Sequence, residues 1–220
     1  MHSLLRAVAF VLVASGAHAA PVTFDVALTN RLTETSPDTA FPNLDDVTVD
    51  ANDGGGETQA LVSFEDLDLG VLGGGTLASA ALRLFTNNPT MGTVSVHQLL
   101  VPFDDGTTWS DFGTDGVTLG TEAVASPADL LVAPADESLH SFDVTVIVQA
   151  WLDGAVPYGF VLLNDSSNGW DFDGADFDGA GPRIGPELVL DIEAPVIPLP
   201  AAGWLLLGGL STLIVLRRRV

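Results

Sequence analysis

The sequence predicts an all-β domain, an antiparallel β-sandwich or jelly roll with one short helix, flanked by an N-terminal signal-peptide helix and a C-terminal transmembrane helix. Three observations predict the central architecture. Apolar residues recur with a period of two in short runs, as half-buried strands require. Clusters of Gly, Asn and Asp punctuate those runs where hairpin turns would fall. A single segment departs to helical spacing.

Residues 1–19 carry Arg6, an apolar run from Ala7 to Ala14, and Ala17-His18-Ala19. That order of basic, apolar and small-residue zones is the pattern of a secretory signal peptide, with cleavage expected after Ala19. A short buried helix is the competing reading.

The domain is placed at residues 20–193. Alternation is clear in Val22–Leu28, Val47–Val49, Leu61–Phe64, Leu82–Leu84 and Val94–Val96. Turn clusters stand between them at 52–56, Gly73–Gly75, Asn87–Pro89, Asp104–Gly106 and Asp153-Gly154. Strands resume at Ser141–Asp143, Tyr158–Asn164 and Glu187–Ile192, giving about nine. Between Asp143 and Gly154, the residues Val144, Ile147, Val148, Trp151 and Leu152 line one face of a helix, with Asp143 or Thr145 to cap its start and Gly154 to end it. The Val and Ile content leaves a buried strand as the alternative.

Residues 194–220 combine a Pro-rich spacer with an apolar stretch from Ala201 to Leu216, closed by Arg217, Arg218 and Arg219. Sixteen helical residues reach about 24 Å, and residues 197–200 extend this toward the roughly 30 Å of a bilayer core. The terminal arginines place that end in the cytoplasm.

Composition narrows the function classes. The 220 residues contain 29 Asp and Glu against seven arginines, with no lysine and no cysteine. Disulfide scaffolds, cysteine-zinc modules and cysteine nucleophiles are excluded. All the acidic residues lie within the domain beside only Arg31, Arg83 and Arg183, a formal charge of −26, so a nucleic-acid backbone would be repelled.

From Asn164 to Asp178 there are seven carboxylate or amide side chains. The carboxylates Asp165, Asp171, Asp173, Asp176 and Asp178 are candidate calcium ligands, with Gly174 and Gly179 to bend the loop. A solvated acidic turn is the alternative reading. Trp109 and Trp170, beside Asp111 and Asp171, are candidate sugar platforms, while Trp151 is expected in the core. His97 and His140 occupy no metal-binding motif and are read as strand or turn residues. No nucleophile elbow, phosphate loop or catalytic lysine is present, so the chain is read as a non-enzyme.

Two resemblances sharpen these expectations. The tail, with Pro198, Leu199, Pro200, Ala201, the apolar block and the terminal arginines, resembles a PEP-CTERM sorting signal of the Val-Pro-Leu-Pro-Ala kind. The resemblance implies an exosortase-type processing enzyme as partner, transient anchoring in the inner membrane of a Gram-negative bacterium, and delivery to the cell surface or extracellular matrix. A permanent tail anchor is the other reading.

Residues 30–39 (Asn30-Arg31-Leu32-Thr33-Glu34 followed by Ser36-Pro37-Asp38-Thr39) resemble the string that names the DNRLRE, or disaggregatase-related, domain. Similar stretches follow at Ala60–Phe64, Ala78–Leu84, Val94–His97, Thr107–Trp109, Phe142–Thr145, Val148–Trp151, Gly169–Asp173 and Pro186–Leu190. Thr29 and Thr33 replace the naming Asp and second Arg, and Ala40-Phe41-Pro42 replaces the usual Asn-Tyr-Gly. The resemblance implies a carbohydrate-binding-module-like sandwich with polysaccharide as ligand. A secreted polysaccharide hydrolase and a purely structural surface protein are the rival functions.

Overall fold

The computed structural model describes residues 20–51, 55–64, 67–178 and 183–194. The expected signal peptide at 1–19, the sorting residues Pro198, Leu199, Pro200, Arg217, Arg218 and Arg219, and the transmembrane helix at 201–216 lie outside the described residues. No helix among the described residues is long and apolar enough to cross a membrane.

Eleven strands and one α-helix are described. They are β1 (Val22–Asp25), β2 (Leu28–Thr33), β3 (Asp46–Val49), β4 (Thr58–Ser63), β5 (Thr76–Asn88), β6 (Thr93–Gln98), β7 (Asp129–Val132), β8 (Ser138–Asp143), α1 (Thr145–Leu152), β9 (Phe160–Asn164), β10 (Trp170–Asp173) and β11 (Glu187–Glu193). Every strand pairing is antiparallel. One sheet runs β2-β4-β9-β6-β7. The other is organised around β5, whose Leu82 and Arg83 pair with β8 on one edge and with β11 on the other. Further along, Thr86 and Asn88 pair with β10, so β11 (backed by β1) and β10 (backed by β3) lie end to end along β5.

The two sheets close on a shared core. Val47, Leu82, Leu84, Leu188 and Leu190 from one sheet meet Ala60, Val62, Val94, Val96, Phe160 and Leu162 from the other. Burying these side chains is the dominant stabilising term, at about 25 cal/mol per Å² of apolar surface.

The helix forms where its spacing placed it. Val144, Ile147, Val148 and Trp151 are buried, and Leu152 is packed against the same core. Asp143 Oδ1 accepts the Thr145 amide at 3.0 Å, and Thr145 Oγ1 accepts the Ala80 amide at 2.9 Å, which fixes the first turn to β5. Gly154, at φ 108°, releases the chain from the last turn.

Three differences from the sequence reading have physical causes. The alternating run Val22–Leu28 is not one strand, because the chain crosses between sheets within it: the Val26 amide bonds Pro186 O and the Ala27 amide bonds Ser63 O. Strand β4 is not half-buried. Gln59, Ala60, Leu61 and Val62 are all buried, because both faces of this strand are covered. The acidic segment expected to be a loop at 170–173 is strand β10, inserted between β3 and β5.

Candidate binding groove

The second cover on β4 and β9 comes from the connection between β6 and β7, residues 99–128. Leu99, Trp109, Val117 and Ala123 from this connection form a separate buried cluster with Leu32, Leu61 and Val161 of the sheet. Buried amides fasten it. Asn30 Nδ2 donates to Asp104 O and Thr107 O at 3.0 and 2.9 Å, and Gln59 Oε1 accepts the Val117 amide at 2.7 Å. Each bond joins a sheet residue to the cover, so loss of either amide side chain would leave buried carbonyl or amide groups unpaired.

Along the rim of this cover run two adjoining hollows. One, of about 600 Å³, is lined by Val101, Asp104, Thr107, Asp111, Phe112 and Glu122, among others. The second, of about 360 Å³, is lined by Asn43, Ser63, Phe64, Phe103, Asp105 and Tyr158, among others. Pro102 and Asp104 line both. Phe103, Phe112 and Tyr158 are half-buried rings anchored on the outer cluster, each offering part of its surface to the groove. Asp104, Asp105 and Asp111 are exposed, and Glu122 is half-buried. Among the described residues, neither lining includes an arginine, lysine or histidine.

Local hydrogen bonds set the rim. Asp111 Oδ2 accepts from the Thr108 amide at 2.7 Å and from Thr108 Oγ1 at 2.9 Å, closing the capping box of the short 3₁₀ turn Trp109–Phe112. Asp104 Oδ1 accepts from the Gly106 amide and from Thr107 Oγ1 at 3.0 and 3.1 Å. Glu122 Oε2 accepts the Thr118 amide at 3.0 Å. These carboxylates are held by backbone donors and keep lone pairs to spare.

The structure redistributes the residues the sequence had assembled. Trp170 is fully buried, its Nε1 donating to Thr86 Oγ1 at 2.9 Å and its ring tilted against Phe172. Trp109 is 3% exposed, with Nε1 donating to Thr114 O at 3.0 Å. Neither ring offers a face to a sugar; both are core, because β10 and the cover bury them. Asp111 does line the groove, whereas Asp171 lies on the other sheet and accepts from Asn88 Nδ2 at 3.0 Å. Trp151 is core as expected.

The five carboxylates expected to share calcium have separate surroundings. Asp173 is fully buried and forms a bidentate ion pair with Arg183, while Asn87 Nδ2 donates to the same carboxylate at 2.8 Å. Arg183, its guanidinium held charged by that carboxylate, also lies 4.5 Å over the Phe177 ring. Asp165 Oδ1 accepts the Thr93 amide at 2.6 Å, and Asp176 and Asp178 are exposed. Among the described residues no three His, Asp or Glu side chains are grouped to hold a metal ion. His97 and His140 lie in β6 and β8.

The groove residues Phe103, Phe112, Glu122 and Asn43 were not singled out in the sequence. A signal for three of them was present: the thirty residues between β6 and β7 far exceed a hairpin connection, and connections of that length commonly carry function. No protein-family model matches the chain, and no curated protein matches it either. Fold and site together define an antiparallel all-β sandwich with an acid-rimmed, ring-lined groove on one covered face.

Proposed function

We propose that this is an exported glycan-binding protein that does not cleave the polymer its groove holds, displayed on the cell surface or in the extracellular matrix. The observation that carries the binding reading is the groove. Three anchored rings, Phe103, Phe112 and Tyr158, provide apolar surface for sugar C–H faces. The carboxylates of Asp104, Asp105, Asp111 and Glu122 and the Asn43 side chain provide acceptors and donors for hydroxyls. Export and surface delivery are supported by the signal-peptide pattern and by the sorting-tail resemblance, with an exosortase-type enzyme as processing partner. The DNRLRE resemblance supports polysaccharide as the ligand class.

The test is retention on immobilised polysaccharides by the intact domain and by the variants Tyr158→Ala and Phe112→Ala, each checked for an unchanged unfolding transition. Retention lost in both variants supports the groove. Undiminished retention, or silence across neutral and charged glycans, favours a structural surface protein instead. Product release from the same polymers would favour the hydrolase. The intact mass of the mature protein from fractionated producing cells reports terminal processing separately.

A further inference from the structure

On the outer face of the β6 sheet, away from the groove lining, stands a serine–histidine pair that the binding reading does not use. His97 Nε2 lies 3.0 Å from Ser95 Oγ, and His97 Nδ1 lies 2.9 Å from the carbonyl oxygen of Val124. A carbonyl oxygen can only accept, so Nδ1 carries the imidazole proton. Nε2 is therefore the lone pair, and the Ser95 hydroxyl is its donor. Nucleophile, base and a group that orients the base thus stand in the order nucleophilic catalysis requires.

The surroundings fit this assignment. His97 is 2% exposed, and burial lowers its affinity for a second proton, outweighing the Val124 carbonyl bond. The imidazole is accordingly in its basic form at neutral pH. Ser95 is only half-buried. Its cross-strand neighbours are Leu130, 53% exposed, and Leu163, which give an apolar floor on either side of the hydroxyl.

We infer that Ser95 is a nucleophile activated by His97, able to accept the acyl group of a short-chain ester resting on Leu130 and Leu163. In that step the Ser95 Oγ–acyl carbon bond forms, the hydroxyl proton passes to Nε2, and the departing alkoxide takes that proton as the ester C–O bond breaks. Water, deprotonated by the same nitrogen, then cleaves the Ser95 ester to release the carboxylic acid and restore the hydroxyl. The first half of this sequence needs only the pair described, so acylation is the step to measure. This inference is independent of the groove: loss of glycan retention leaves it standing, and its own failure leaves the groove standing.

The experiment treats the full chain with an alkyl fluorophosphonate, in which Ser95 Oγ forms the P–O bond, fluoride leaves and His97 takes the proton. Intact mass and peptide mapping read the product. The expected result is a single adduct on Ser95, absent in Ser95→Ala, with labelling at least about tenfold slower in His97→Gln. On the unmodified chain the labelling rate should also decline as pH falls through the His97 pKa, which burial holds below the ordinary imidazole value, and the imidazole gains its second proton. That pH profile decides the matter even where His97→Gln fails to fold. No adduct, a rate without pH dependence across this range, or labelling spread equally over the exposed Ser126 and Ser167 would overturn the inference.

Discussion

Replacing Trp109 with Ala separates a structural from a ligand-facing tryptophan. The side chain is 3% exposed, forms the centre of the outer cluster with Leu32, Leu61, Leu99 and Val161, and bonds Thr114 O through Nε1. Its six-membered ring is packed so closely on the chain that a Cβ added at Gly116 would stand 2.9 Å from two of its carbons. Neighbours held that tightly by backbone cannot collapse far into the space left by truncation, so most of the cavity penalty is retained. Truncating a buried Trp costs about 3–5 kcal/mol, and the orphaned Thr114 carbonyl adds to that if water does not reach it. Against a typical stability of about 5–15 kcal/mol, this is a large fraction.

Urea unfolding followed by intrinsic fluorescence and circular dichroism measures the loss. Amide exchange then tells whether the cover opens by itself, since the Leu99, Val124 and Ala128 amides bond to Gly159 O, Gln98 O and Val96 O and report the cover's attachment. The expected result is a loss of about 3 kcal/mol or more, with those three amides exchanging faster than amides in β5. A loss below about 1 kcal/mol with unchanged exchange would refute the placement of Trp109 in a packed cluster.

Further outcomes follow from the same geometry. Gly159→Ala should cost about 2 kcal/mol or more in denaturant unfolding, because Gly159 adopts φ 113° and an added Cβ would overlap the Val62 carbonyl oxygen. Unchanged stability there would contradict the close approach of β4 and the start of β9. Burial holds the His97 pKa below its ordinary value of about 6.5, so the unfolded chain binds the proton more readily than the folded one. Stability contributed by neutral His97 is therefore complete above about pH 6.5 and lost as pH falls below it, and His97→Gln should flatten that part of the stability–pH curve. Asp143 is shifted the same way but as an acid, its carboxylate favoured by hydrogen bonds from the Thr145 hydroxyl and amide. Its contribution is present above the ordinary Asp range and fades as pH falls through the lowered value. Because the carboxylate faces solvent, Asp143→Asn should move the acid limb only slightly.

The parts of the fold readable in the sequence were those whose burial is one-sided. Strand β11 and the first part of β5 show alternation because one face meets the core while the other meets solvent. The helix was readable because Val144, Ile147, Val148 and Trp151 face inward while Val146 is 64% exposed. What alternation cannot show is a second layer. In β4 and β9 consecutive apolar residues point to two different cores, and only the length of the 99–128 connection hinted at the outer one. The acidic segment after Asn164 misled for a related reason. Carboxylates look solvated by composition, yet Asp173 is buried because Arg183, ten residues later, turns back to pair with it. Of the groove, Asp111 alone was read as a site residue and the length of the 99–128 connection pointed to the rest, since half-buried Phe103 and Phe112 resemble any core phenylalanine until the surface they leave open is seen.

On the proposed glycan-binding reading, charge decides which polymers the groove would hold. The three arginines of the domain each face a fixed partner: Arg83 pairs with Glu187 at 3.1 Å, Arg183 with Asp173, and the Arg31 guanidinium lies 4.9 Å over the Phe41 ring. Among the described residues the groove lining holds carboxylates and no cation. An anionic polymer would bring like charges together on a domain of formal charge −26, and that repulsion is screened only over a Debye length of about 8 Å at physiological salt. A neutral polymer meets none of it, because ring contacts and hydroxyl hydrogen bonds carry no net charge. Retention of a neutral glycan should therefore change little between 20 and 500 mM salt, roughly 20 Å to 4 Å in screening length. An anionic one should be excluded at low salt and show at most weak retention at high salt. Retention that is strongest for an anionic polymer at low salt would mean that a cation bridges the carboxylates or that binding lies outside the groove, and Tyr158→Ala distinguishes the two, because only the second would be indifferent to it.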